Sequence, residues 1–169
     1  MSVHRKLIDS VNAACKLTLS IDALRNGVIS TLSIRRVMLT VAVSVLGVLV
    51  PYLEYSPTHI FNPDWPGHAK LHDVWQLLTN SAFAAAAVFM AWTRQDLRLA
   101  ARLGLVAPVA FLVSYFTMDL YGGSMVNSDG TEHRFGSVNA SLVMMLMVSA
   151  VLSYLAIADG NAAERGRER

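Results

Sequence analysis

Residues 37–53 read Val-Met-Leu-Thr-Val-Ala-Val-Ser-Val-Leu-Gly-Val-Leu-Val-Pro-Tyr-Leu, without one charged side chain. A helix that crosses a bilayer needs about 20 mostly apolar residues, and this stretch, bounded by Arg36 and Glu54, comes close to that length. Three more stretches share its character. Val74–Thr93 and Phe135–Ala158 carry no charge, and Leu103–Gly123 carries only Asp119. Any one of them could be a buried core helix. Four of them in 169 residues leave no room for that reading. The connections are short, so the expected fold is all-α, an integral membrane four-helix bundle over residues 37–158. Small residues in the run Ala84–Ala87 and at Ser137, Ala140 and Ser141 suit close helix packing in lipid.

Composition agrees. Hydrophobic types make up 54% and charged types 15% of the chain, against about 25% charged in soluble domains. An ordinary soluble domain and a disordered chain are both excluded. No basic patch with interleaved aromatics appears, so no nucleic-acid partner is expected. Cys15 is the sole cysteine, which rules out a disulfide scaffold.

The charges divide by side. The N-terminal arm, the second connection and the tail hold twelve Lys and Arg and six Asp and Glu, a net of +6. The first and third connections hold two basic and six acidic residues, a net of −4, with four of the five histidines. The positive-inside rule then puts both termini in the cytoplasm of a multi-pass cell-membrane protein. Residues 1–36 read as a cytoplasmic arm. Within it Leu7, Val11, Ala14, Leu17, Ile21, Leu24, Val28 and Leu32 recur every three or four residues, the pattern of an amphipathic interfacial helix. The first long apolar run starts only near Val37, so no cleaved leader is expected. Residues 159–169 read as a disordered cytoplasmic tail.

Titratable groups gather on the outward side: Glu54, His59, Asp64, His68, His72, Asp73, Asp119, Asp129, Glu132 and His133. Antiparallel helices bring the outer ends of all four spans together, which is what a site at one mouth would require. Asn62-Pro63-Asp64-Trp65-Pro66 signals a turn and then a helix start. On that helix His68, His72, Gln76 and Asn80 are spaced by four and read as one polar stripe running into the membrane. Gln and Asn at that depth need a partner or a cavity, because hydrocarbon offers no hydrogen bonds. Two histidines at i and i+4 can share a divalent metal ion, and His68, His72 and His133 form the candidate ligand set. The bland alternative has the histidines bonding locally at the headgroup level. Asp119, expected near the outer end of the third span beside Tyr115, is a second candidate acid or base. Asn139, at the start of the fourth span, reaches the same mouth. Trp65 and Trp75 suit the interfacial aromatic belt, and Met144, Met145 and Met147 an adaptable apolar wall.

Three short motifs, His72-Asp73-Val74-Trp75, Tyr115–Tyr121 around Asp119, and Val138-Asn139, resemble those of the EXPERA superfamily, which includes the sterol Δ8–Δ7 isomerase. The likeness touches about a third of the chain. Here the first span carries no intramembrane acid, unlike that family. The resemblance implies a bundle cavity in which a histidine and acidic residues move a proton on a lipophilic substrate.

The reading that follows is a membrane enzyme of isomerase, cyclase or hydratase type. His72, Asp119, His68 and Asp73 are its catalytic candidates, with a divalent metal as an optional aid. Trp75, Gln76, Asn80, Tyr115 and Asn139 would bind substrate. Its partners would be the lipid bilayer and a lipophilic small molecule. The competing readings are a ligand- or proton-transport module, which would need a homo-oligomer to enclose a path, and an accessory subunit.

Overall fold

The computed structural model describes Gly27 and residues 31–167, with side chains through residue 158. The arm expected over residues 1–36 lies outside these residues up to residue 30, apart from Gly27. The chain ahead of Arg36 forms a unit of its own, in which the Thr31 hydroxyl donates to the Gly27 carbonyl at 2.9 Å. Four helices are long and apolar enough to cross a membrane: α1 (Thr31–Glu54), α2 (Gly67–Arg94), α3 (Leu97–Phe116) and α4, which is apolar over Ala140–Ala158. Helix α4 runs Ala140–Arg167, so the backbone expected to be a disordered tail continues as helix.

Leu39, Val43 and Leu46 of α1, Ala84, Ala87 and Ala91 of α2, Leu97, Ala100 and Ala101 of α3, and Met145, Val148, Leu152 and Leu155 of α4 form one buried cluster. Alanine dominates the α2 and α3 contributions because a small side chain lets backbones approach. Glycine does the same at Gly104, where an added Cβ would stand 2.7 Å from Val43 Cγ1 and 3.2 Å from Leu152 Cδ1.

Helix α1 is locally unwound. Its Val45–Leu49 segment is π-helical, and the Val50 N–H bonds to the Val45 carbonyl. Pro51 has no N–H to offer the carbonyl four residues back, Gly47. The Ser81 hydroxyl of α2 fills that place, donating to the Gly47 carbonyl at 2.9 Å. Gly47 sits so close to Ala84 that a Cβ there would collide with the Ala84 methyl. The glycine lets the neighbouring helix come near enough for that bond to form.

Helix α2 starts one residue past the expected Pro66, which takes its cap position. At the other end a left-handed Gln95, φ 59°, makes the turn into α3. The Asp96 carboxylate caps α3 by accepting from the Leu99 N–H at 2.8 Å, so α3 begins earlier than its apolar run. It also ends earlier. The Thr117 hydroxyl bonds back to the Val113 carbonyl at 2.8 Å, and a 3₁₀ turn, Met118–Leu120, follows. Asp119, expected inside the third span, is thus an exposed residue beyond it. A small hairpin not expected from the sequence precedes α4. Its strands β1 (Arg134–Phe135) and β2 (Val138–Asn139) pair antiparallel around Gly136, whose φ is 61°.

A candidate polar cavity at one end of the helices

The segments that link α1 to α2 and α3 to α4 lie at one end of the helices and enclose a cavity of about 720 Å³. Small-molecule sites usually measure about 300–1,000 Å³. Its walls are apolar, from Leu46 and Val50 of α1, Phe111 of α3, and Met144 and Met145 of α4. Its polar groups include Glu54, His59, Asp73, Gln76, Asn80, His133 and Asn139.

Glu54 ends α1. The chain then doubles back, with the Ser56 N–H on the Glu54 carbonyl at 2.8 Å and the Ile60 N–H on the same oxygen at 3.3 Å. That turn brings His59 over the glutamate, Nε2 to Oε2 at 3.0 Å. On its other side, His59 Nδ1 lies 3.0 Å from the Thr58 hydroxyl and 3.3 Å from the Ser56 hydroxyl. A hydroxyl both donates and accepts, so it serves either tautomer of the ring. The Glu54–His59 contact can hold one proton on either heavy atom without moving them. Burial pushes the His59 imidazole below its ordinary value; Asp73 and Asp129 pull it back up, and His133 pushes it further down. The Asp129 carboxylate is held below the usual range by the Thr131 hydroxyl at 2.6 Å and the Thr131 N–H at 2.9 Å.

Asp73 lines the same cavity, and its Oδ2 is buried with no hydrogen-bond partner among the described residues. Helical rotation explains its place. Residues advance about 100° each, so Asp73 stands about 20° around the helix from Asn80, and Gln76 about 40° on the other side. A row spaced by four drifts by about 40° at each step. His72 has therefore turned about 80° away from Asn80, and His68 about 120°. The expected straight stripe from His68 to Asn80 does not exist. Gln76 and Asn80 line the cavity, whereas His68 and His72 are exposed and outside its lining. They meet each other instead, Nε2 to Nε2 at 3.0 Å.

The other expected site residues divide similarly. Asn139 and His133 line the cavity, while Asp119, Trp75 and Tyr115 do not. Trp75 lies against His72 with ring centroids 5.8 Å apart, and Tyr115 stacks on the cavity residue Phe111 at 6.3 Å. Asn139 is also a helix cap. Its Oδ1 accepts from the Ser141 and Leu142 N–H groups at 2.9 and 3.1 Å, and its Nδ2 donates to Glu132 at 2.9 Å. The expected metal set of His68, His72 and His133 is not brought together. Among the described residues no three His, Cys, Asp or Glu side chains cluster to hold an ion. Glu54 and His59 are both among the outward titratable groups of the sequence, but nothing in their spacing pairs them.

Asn62 fastens the two covering segments. It is 1% exposed. Its Nδ2 donates to the Thr58 carbonyl at 3.1 Å and to the Ser128 hydroxyl at 2.7 Å, and its Oδ1 accepts from the Asp64 N–H at 2.9 Å.

Four long apolar helices with an acid–imidazole cavity at one end define the class: a membrane-type helical protein with a small-molecule-sized polar chamber. The chain belongs to a family of unknown function, DUF6640, whose profile matches residues 38–168 and so takes in every residue that lines the cavity. No curated protein and no solved structure matches it.

Proposed function

We propose that this protein is a multi-pass cell-membrane enzyme that isomerises a lipophilic small molecule by proton transfer in the cavity. The observation that carries this reading is the Glu54–His59 contact at 3.0 Å, opening on a chamber that Asp73 also lines. Glu54 and His59 share a proton and deliver it to one carbon of a substrate double bond. Asp73 takes a proton from the allylic carbon, the double bond shifts, and the atoms balance without a co-reactant. Apolar walls of leucine, valine, phenylalanine and methionine hold the hydrocarbon body, and Gln76 and Asn80 orient its polar group. This moves the chemistry from His72 and Asp119 to Glu54, His59 and Asp73, and it keeps the kind of reaction that the EXPERA resemblance implies. The helices lie in the bilayer with both termini cytoplasmic, an orientation supported by the net +6 and −4 of the two sides. At the basic end the Arg36 guanidinium lies 6.0 Å from the Trp92 ring, and the Trp92 N–H donates to the Thr40 hydroxyl at 3.0 Å, an arrangement suited to an interface.

The test is deuterium uptake. Purified protein in nanodiscs is incubated in D₂O with lipids extracted from its own source membrane, and the lipids are read by mass spectrometry. At least one species should gain carbon-bound deuterium with the wild type and lose that gain with Glu54→Gln. A lipid that co-purifies but never exchanges would make the protein a binding module, and the enzyme reading would fail.

A further inference from the structure

The pair His68 and His72 has no part in the proposed reaction, and its geometry is specific. Both imidazoles are exposed on the outer turns of α2, with their Nε2 atoms 3.0 Å apart and ring planes at 87°. That separation is a hydrogen bond from the N–H of one ring to the bare nitrogen of the other. A metal ion can bind both nitrogens once each ring turns a lone pair toward it, a side-chain movement that leaves the helix backbone in place. With metal–nitrogen bonds of about 2.0–2.1 Å, nitrogens this far apart subtend about 90–97° at the ion. A tetrahedral ion needs them only about 3.3–3.4 Å apart, so the spacing admits either geometry and the affinity order among the ions decides. Among first-row divalent ions, imidazole nitrogens at right angles suit Cu²⁺ and Ni²⁺, and Cu²⁺ binds tightest.

We infer that His68 and His72 form a two-histidine chelate for Cu²⁺ or Ni²⁺ on the outward face of α2, separate from the cavity, with water completing the coordination. Lys70, two residues from each, falls on another side of the helix. Trp75 reports on the site, since its ring lies 5.8 Å from that of His72 and a paramagnetic ion there quenches its fluorescence.

The test uses the full chain, free of any affinity tag, in phosphatidylcholine nanodiscs. A His4→Ala background removes the imidazole near the amino terminus from competition. Cu²⁺ is titrated against a glycine competitor, with calorimetry, electron paramagnetic resonance and tryptophan fluorescence as readouts. One Cu²⁺ per chain should bind with a two-nitrogen resonance signature and quench the fluorescence. His68→Ala and His72→Ala should each weaken it roughly 100-fold, the loss of an intramolecular second ligand. His133→Ala should leave affinity unchanged, and Trp75→Phe should remove most of the quenching at unchanged stoichiometry. Equal Cu²⁺ affinity and an unaltered signature in His68→Ala and His72→Ala would overturn the assignment. Both side chains are exposed, so the variants should keep the parent's helical circular dichroism, and His72→Gln repeats the test with a polar side chain.

Discussion

Gly47→Ala should destabilise the protein even though alanine is the better helix former. In a helix interior the exchange gains about 0.8–1.0 kcal/mol from propensity. Against that, the new methyl would collide with the Ala84 methyl and lie 3.7 Å from Ser81 Cα. The Ala84 methyl has no rotamer to move to, so relief must come from separating α1 and α2. Separation lengthens the bond from the Ser81 hydroxyl to the Gly47 carbonyl, now 2.9 Å. Overpacking costs about 1–3 kcal/mol, and a weakened hydrogen bond about 0.5–1.5 kcal/mol. The net expectation is a loss of about 1–2 kcal/mol, a factor of about 5–30 in the folded-to-unfolded ratio. The assay is reversible unfolding by SDS in mixed micelles, followed by circular dichroism. The decisive variant is the double Gly47→Ala with Ala84→Gly, which exchanges the methyl from one helix to the other. It should be more stable than the sum of the single effects by about 1–2 kcal/mol. A Gly47→Ala protein as stable as wild type, or an additive cycle, would refute the close-approach argument.

Three further outcomes follow from the cavity end. Burial lowers the His59 imidazole below 6.5, so in acid the unfolded chain takes up that proton before the folded one does. Stability should therefore fall as pH drops from 6.5 through the lowered value, and His59→Gln should remove this component of the slope. Asn62→Ala deletes the bonds to Ser128, Thr58 and Asp64. At about 0.5–1.5 kcal/mol per bond, amide hydrogen exchange over residues 124–131 should quicken roughly tenfold, and exchange in α4 should stay unchanged. Asp119→Asn should leave deuterium uptake by the substrate intact, because Asp119 is exposed and outside the cavity lining; a loss comparable to that of Glu54→Gln would return Asp119 to the chemistry.

The four helices were legible because apolarity is a local property that a run such as residues 37–53 displays by itself. The start of α2 was legible for a similar reason, since Pro66 and Gly67 carry their turn chemistry in their own backbones. The ends of α3 were not. Its start depends on the Asp96 side chain bonding the Leu99 N–H, and its end on the Thr117 hydroxyl bonding the Val113 carbonyl. Hydropathy counts neither, so the third span read too far toward Asp119. Glu54 and His59 could be named as neighbours in the chain. Their contact depends on a turn in which one carbonyl accepts two N–H groups, and no residue pattern in Glu54–His59 announces it.

His72 and Asp73 show how a motif can mislead while naming the right residues. They read as one His-Asp unit, yet consecutive residues on a helix point about 100° apart. The fold uses that angle to separate two chemistries. Asp73 goes to the cavity with Gln76 and Asn80, and His72 goes outside to His68 and Trp75. The two assignments can therefore be broken independently. His72→Ala should shift the Cu²⁺ quenching of Trp75 to roughly 100-fold higher concentration and leave deuterium uptake intact, and Asp73→Asn should abolish uptake and leave the quenching intact. Loss of both activities in either variant would mean that α2 does not sit at the rotation found here, because no single rotation of a helix aims adjacent side chains at one point.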